Sequence, residues 1–326
     1  MTVLKNSPFI TAFIAKVKSL NYGNIVAYLA LGFISYQFVY PLLRMISLSL
    51  MSEADIISPS VNWIPQSLAF GNLRTAWRVM DPSNTMVNST LFSGTLAFGQ
   101  TFVAATAGFA FARYKFPLKN FWFFMAIVAF VLPTPILLIP RTMMMAEFQR
   151  VLDFQLFGTV WPQIGMAFLG QGVFSTILML IFYHFTNMIP PALDEAAYID
   201  GANSVQIFYH IILKLSLPTL LVIFLFAFVW NWNETYVTSI FLRGGLELAP
   251  GRLQNFAHLF GNYAEISDLL EIGAFGADEF MTDAQRINEA FRMSGTLIAI
   301  SPLFILYLVV QRQFIKGIEN TGFTGI

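Results

Sequence analysis

Six stretches of this chain, near residues 25–50, 86–112, 121–145, 158–183, 211–242 and 294–314, are predominantly apolar for about twenty residues or more, and that length decides which solvent they suit. A hydrocarbon layer about 30 Å thick is crossed by about 20 helical residues. Inside lipid every backbone polar group must find its partner within the protein, which leaves helices and closed barrels. Runs of this length predict an all-α, polytopic membrane protein with six transmembrane helices. Composition agrees: 11% of the 326 residues are charged and 56% are hydrophobic, where a soluble domain carries about 25% charge. The 211–242 run is long enough to require tilt or to extend past the bilayer. The first run exceeds the 7–15 residues of a secretory core, so it is expected to remain as an anchor. Ahead of it, Ser7 and Pro8 open a short stretch with Phe9, Phe13 and Val17 on one side and Lys16 and Lys18 nearby. That pattern predicts an interfacial helix within residues 1–24.

Six spans put both termini on one side of the membrane. Lys and Arg are spread almost evenly over the two sides, but Arg113, Lys115 and Lys119 concentrate positive charge in one short turn, and short loops dominate the positive-inside rule. Termini and turn, and the polar segment between the fourth and fifth runs, are therefore expected on the cytoplasmic side. Several chemistries lack their residues. The chain has no cysteine and zero net charge, which removes thiolate chemistry and disulfides. No basic patch interleaved with aromatics points to nucleic acid. There is no G-x-x-x-x-G-K-[ST] loop for nucleotide phosphates and no G-x-S-x-G elbow. His184, His210 and His258 are far apart and without metal-ligand spacing. No cofactor, metal site or catalytic constellation is expected on this chain. No inverted repeat of the secondary-transporter kind is visible.

A polar segment interrupts the apolar runs at 190–218, PPALDEAAYIDGANSVQIFYHIILKLSLP. Pro190 and Pro191 suit a helix start, where no N–H is needed, and Gly201 suits a left-handed C-terminal cap. The first helix is expected over about 192–200. Asn203 or Ser204 then caps a second helix, whose Val205, Phe208 and Ile212, with Ile207 and Ile211, form one broad apolar face. Ala196, Ala197 and Gly201 leave the hairpin's backbone bare enough for another surface to approach closely. An amphipathic hairpin resting on the membrane surface is the alternative.

Glu195-Ala196-Ala197, Asp200-Gly201-Ala202, Phe208, Ile211 and Pro218 stand at the spacing of the EAA loop of ABC importer permeases. The chain most resembles the smaller permease of maltose-type carbohydrate importers. That resemblance implies a type I importer permease fold over residues 25–320, with a coupling hairpin at 190–218. It implies ATPase-coupling roles for Asp194, Glu195, Ala196, Ala197, Asp200, Gly201, Ala202, Phe208 and Ile211. The implied partners are a second permease, two ATP-binding cassette subunits carrying ATP and Mg, an extracytoplasmic solute-binding protein and a carbohydrate. The hairpin's second helix departs from the family's Leu-Pro ending, since Lys214 follows Leu213. Gln311-Arg312-Gln313-Phe314-Ile315-Lys316-Gly317 follows the family's tail pattern, whereas residues 321–326 match it only loosely.

Three further features bear on transport. The second span is rich in small residues, including Gly94, Gly99, Ala104, Ala105 and Gly108, and ends in Ala110-x-Ala112-Arg113-Tyr114-x-Phe116-Pro117. Such residues bring helix backbones together in lipid. Pro133, Pro135 and Pro140 are expected to kink the third span, either as gating elements or to fit its neighbours. Trp230 to Tyr236 reads WNWNETY, and Asn231, Trp232, Asn233 and Glu234, with Gln163 and Gln171, are the candidate solute-path residues. Intramembrane carboxylates face cavities or partners, though an interfacial aromatic belt also accounts for the tryptophans. The acidic stretch 243–292 reads as an extracytoplasmic insertion.

Overall fold

The computed structural model describes residues 22–259 and 277–322, with side chains over 23–259 and 289–312. The expected interfacial helix before residue 22, much of the 243–292 insertion and the last four residues lie outside that range. Among the described residues the regular elements are helices: α1 (Tyr22–Leu50), α2 (Glu53–Ile57), α3 (Gly71–Met80), α4 (Pro82–Arg113), α5 (Lys119–Val131), α6 (Thr134–Leu152), α7 (Trp161–Phe168), α8 (Ser175–Met188), α9 (Pro191–Ile199), α10 (Ser204–Leu215), α11 (Leu217–Asn233), α12 (Tyr236–Leu242), α13 (Ala249–Gln254) and α14 (Ala277–Gly322). They divide into two compact units, Met1–Arg74 with Ala274–Leu297 and Thr75–Gly273 with Ile298–Ile326.

In the first unit, α1 is apolar on all sides and exposed along most of its length, as a lipid-facing span must be. Its C-terminal end is tied down locally. Asn72 donates to the Met51 carbonyl (2.8 Å), Arg44 and Ser47 donate to the carbonyls of Asn62 and Trp63, and Ser52 and Asp55 form a reciprocal capping box at α2.

The second unit is built around α4. Pro82 opens this helix at a position that needs no donor. Several of its hydroxyls are satisfied within the helix: Ser89, Thr101 and Thr106 each donate to the carbonyl four residues earlier. Helices α7, α8, α11 and α13 pack around it. The small residues have the purpose expected of them. A Cβ added at Gly108 would stand 2.9 Å from the Tyr183 amide nitrogen and 3.0 Å from the Met179 carbonyl oxygen, so α4 and α8 cross backbone against backbone. Phe92, Leu96, Ala167 and Leu242 bury one apolar cluster beside α4, and Leu138, Phe157, Met166, Val237 and Phe241 bury another.

Three uninterrupted helices, at 23–50, 82–113 and 289–312, are long and apolar enough to cross a membrane, and three bent pairs bring the count to six if each pair is one span. The bends correct the sequence reading in detail. The third run is two helices at 105°, with a single break at Leu132–Pro133 in place of three kinks. Pro135 falls in the first turn of α6, where its missing N–H has no intrahelical partner to lose, and Pro140 sits within α6 without interrupting it. The fourth run is divided. Gly170 and Phe174 adopt left-handed backbone (φ +73° and +51°) and separate α7 from α8, so the long helix starts only at Ser175. The fifth is cut at both ends. The chain turns 80° between α10 and α11, where the Ser216 hydroxyl bonds back to the Ile212 carbonyl and Pro218 opens the new helix. It breaks again at Glu234, whose carboxylate accepts the Val237 N–H (2.8 Å) and starts α12. Residues 277–292, read as part of the insertion, are helical and continuous with the last span.

Gly108→Val forces α4 and α8 apart. It should lower the stability of the detergent-purified protein by about 1–3 kcal/mol, read as a lower thermal unfolding midpoint. An unchanged midpoint would contradict the close crossing.

Candidate functional site

The polar hairpin forms from its own sequence signals. Pro191 starts α9, and its C-terminus closes with Gly201 at φ +88°, the Ala202 N–H donating to the Ala197 carbonyl and the Gly201 N–H to the Tyr198 carbonyl. This is the paired-bond left-handed cap that glycine allows. Asn203 caps α10, its Oδ1 accepting the Gln206 N–H (2.9 Å) while Gln206 Oε1 accepts the Asn203 N–H (2.8 Å). Residues Phe208–Ile212 then widen into a π-helical turn. The wide turn swings Ile212 back onto the face already occupied by Ile207 and Phe208, and all three are buried. Val205 lies roughly a third of a turn to the side, at about 100° per residue, and is 62% exposed. It does not join the buried face as its spacing suggested, and Ile211 is only half-buried.

The hairpin thus has two sides. Towards α4, Asp194 is buried and its Oδ2 lies 2.6 Å from Arg113 Nε, both side chains being 11% exposed. The N–H is angled off that oxygen, so the contact is an ion pair without a well-formed hydrogen bond. Arg113 Nη2 also donates to the Ile189 carbonyl at the end of α8 (2.7 Å). One guanidinium therefore joins the C-termini of α4 and α8 to the first hairpin helix. Phe208 packs against Phe109 of α4 with the rings tilted by 34° and their centres 5.1 Å apart. Tyr114, just beyond α4, contacts Tyr198, which contacts Ser204, and partial burial lifts the Tyr114 hydroxyl above its ordinary value. On the outer side Glu195, Ala196, Asp200 and Gly201 are exposed, Ala197 and Ala202 are partly so, and Ile199 is 87% exposed.

A second feature lies where the helices are broken. A cavity of about 320 Å³ is lined by residues of α4, α5, α6, α7, α8 and α12, and by Leu132, Gly170 to Phe174 and Glu234 from the three breaks. Irregular backbone at membrane depth is tolerated where it lines such a space. Gln163, Gln171 and Glu234 face it together with Arg141, whose Nη2 donates to Gln171 Oε1 (2.7 Å). Asn231, Trp232 and Asn233 do not line it. Asn231 is buried behind it, donating to Gln100 Oε1 (2.6 Å), while Gln100 donates to the Val173 carbonyl (2.8 Å) and to Ser175. Trp232 is buried against Phe228, and exposed Asn233 bonds the Val229 carbonyl of its own helix.

Residues 101–320 match the family described as "Binding-protein-dependent transport system inner membrane component". The chain belongs to this family. Among its relatives, the sn-glycerol-3-phosphate transport system permease protein UgpE of Pectobacterium atrosepticum is 24% identical over 277 residues, 83% of this chain and 87% of that protein. The probable ABC transporter permease protein YurM of Bacillus subtilis is 24% identical over 287 residues, 88% and 84% of the two chains. The osmoprotective compounds uptake permease protein GgtD of Synechocystis is 26% identical over 304 residues, 89% of each. The fold is that of a chain in the crystal structure of a bacterial ABC transporter involved in the import of the acidic polysaccharide alginate. Its TM-score is 0.68 at 17% identity, over 89% of this chain and 95% of that one.

The chain is therefore a multi-pass inner-membrane component of a binding-protein-dependent transport system. Within that frame the structure adds residues that spacing alone did not single out. Arg113 stood within a recognisable run but gave no sign that its partner was Asp194, 81 positions on. Arg141, which no motif or spacing set apart, sits within α6 on the cavity wall.

Removing one charge of a buried pair leaves the other without compensation, at a cost of about 3 kcal/mol. Asp194→Asn or Arg113→Met should thus lower hydrogen-exchange protection of the α9 amides by about a hundredfold, and Arg113→Met with Asp194→Leu by much less. Equal protection in all four proteins would show that the pair holds nothing.

Proposed function

We propose that this chain is one permease half of an ATP-driven carbohydrate importer, and that its hairpin passes the motion of a partner ATPase to the spans. The observation that carries this reading is the two-sided hairpin: an outer surface of Glu195, Ala196, Asp200 and Gly201 around a bare glycine tip, and an inner surface fixed to α4 by Asp194 and Phe208. A rigid body open to a partner on one side and bonded to a central helix on the other is suited to transmitting force. In this assembly a second permease completes the pathway, two ATP-binding cassette subunits supply ATP and Mg, and a solute-binding protein delivers cargo from outside. The hairpin and termini then face the cytoplasm.

Asp194 and Phe208 act as anchors, Glu195 to Gly201 as the docking surface, and Ala202 and Ile211 as its supporting edge. Gln163, Gln171 and Glu234 face the solute, while Asn231 and Trp232 hold the wall from behind. The break at Pro133 serves as the hinge beside the cavity. Support for a polyhydroxylated cargo comes from the amides of Gln163 and Gln171 on the lining, from a relative named for sn-glycerol 3-phosphate and from a structural neighbour named for alginate.

Affinity purification of the tagged chain in mild detergent should bring down a second permease and a P-loop ATPase, with ATP hydrolysis rising when sugar-loaded binding protein is added. A chain that purifies alone and transports without nucleotide would contradict the importer. Gly201→Asp should leave membrane insertion intact but abolish the stimulation of ATPase activity by loaded binding protein. Its left-handed backbone strains any side chain by about 1–2 kcal/mol, and the side chain blocks close approach. Normal stimulation in that variant would sink the docking surface.

A further inference from the structure

Arg141 differs from the other arginines whose partners are on view in the second unit. Arg113, Arg150 and Arg252 each face a carboxylate, at 2.6, 2.5 and 2.7 Å, and Arg243 lies over the Phe157 ring. Arg141 faces a neutral amide, Gln171 Oε1, and among the described residues it has no carboxylate within ion-pair distance. A guanidinium carries five N–H donors in a planar fork, and one amide oxygen leaves most of that fork open to the cavity. The other charged residue on the wall, Glu234, is engaged by the Val237 N–H. A charge kept in a membrane-embedded cavity is costly and marks the path of something that compensates it.

A second, independent group points the same way. Gln163 is 6% exposed, its Nε2 donates to Thr238 (2.9 Å), and its buried Oε1 has no hydrogen-bond partner. A buried acceptor left open is destabilising, and it too lines the cavity. The two groups ask for different things: Arg141 for an anion, Gln163 for a hydroxyl or amine donor. The cavity volume, about 320 Å³, reaches the lower end of the range for small-molecule sites, about 300–1,000 Å³.

We propose that Arg141 and Gln163 form a solute subsite in which Arg141 takes a carboxylate or phosphate of the cargo and Gln163 Oε1 accepts one of its hydroxyls. The transported compound is then an acidic carbohydrate. This rests on the carbohydrate-importer reading above. Arg141 acts as a specificity residue, with Gln171 orienting its guanidinium so that two N–H groups present together, the geometry that suits a planar carboxylate or a phosphate.

The test uses the complete importer with its own binding protein in proteoliposomes, supplied with oligogalacturonates, a hexose 6-phosphate or neutral maltodextrins, each radiolabelled. Import of an oligogalacturonate assigns the subsite to a carboxylate, and import of the hexose phosphate assigns it to a phosphate. In either case Arg141→Gln should lower uptake at limiting solute by at least about tenfold, with basal ATPase activity and thermal stability kept, and Arg141→Lys should recover part of the loss. Import of maltodextrins alone would overturn the anionic subsite and leave the carbohydrate reading standing. Import of an acidic sugar that is unchanged in Arg141→Gln, or lost together with complex stability, would also overturn it. Uptake of none of the three would remove the carbohydrate reading and the subsite with it.

Discussion

The ion pair between Arg113 and Asp194 is the contact on which the rest of the arrangement depends. Two charges shielded from solvent are costly, and their mutual attraction compensates only in good geometry. Here the geometry is helped by position: Arg113 also caps the end of α8 through the Ile189 carbonyl. The hairpin that follows α8 has little core of its own. Ile207, Phe208 and Ile212 form its single buried face, and its outer surface is left bare. Without the pair, the first hairpin helix would be held by its caps, by the contact of Tyr198 with Tyr114 and by its short links to α8 and α10. With it, hairpin, α4 and α8 share one fixed point, so a displacement of the hairpin displaces the central helix.

What that helix carries follows from its composition. Gly108 lets α8 approach to backbone contact, and Gln100 reaches across to the Val173 carbonyl, to Ser175 and, through its own oxygen, to Asn231 of α11. A buried network in which each amide has its partner is stiff and specific. It stands next to the places where the helices are interrupted, near Leu132, Gly170 to Phe174 and Glu234. Those interruptions surround the cavity. The central helix therefore touches at one end the element offered to a partner and along its length the wall of the proposed path. In the proposed importer this is the mechanical chain, made from one ion pair, one ring contact, one glycine contact and one amide network.

Much of this was legible in the sequence, and the reasons are local. The hairpin's boundaries came through because Pro191, Gly201 and Asn203 act within a few residues of themselves, and caps of this kind are set by short-range hydrogen bonds. The small-residue stripe of the second span was readable for the same reason, since close crossing in lipid has few other uses. Helix breaks were harder. Three prolines in the third span predict three kinks, but Pro135 stands in the first turn of α6, where its missing N–H has no partner to lose, and Pro140 leaves α6 unbroken. Glu234 looked like a cavity carboxylate, which its position supports, yet it also starts α12, and no spacing rule announces that. The pairs Arg113 with Asp194 and Arg141 with Gln171 join residues distant in sequence, and nothing in either neighbourhood specifies the other.

The rigid link between hairpin and central helix is best tested by a distance within the working complex. The chain has no native cysteine, so spin labels placed at Leu91→Cys on α4 and Val205→Cys on the hairpin, both exposed sites, report that distance by pulsed electron resonance. Between the nucleotide-free and ATP-trapped complexes the distance should stay narrow and constant, because hairpin and α4 move together. A shift of several ångströms on trapping, or a broad distribution in either state, would mean that the hairpin moves independently of α4 and that the force takes another route.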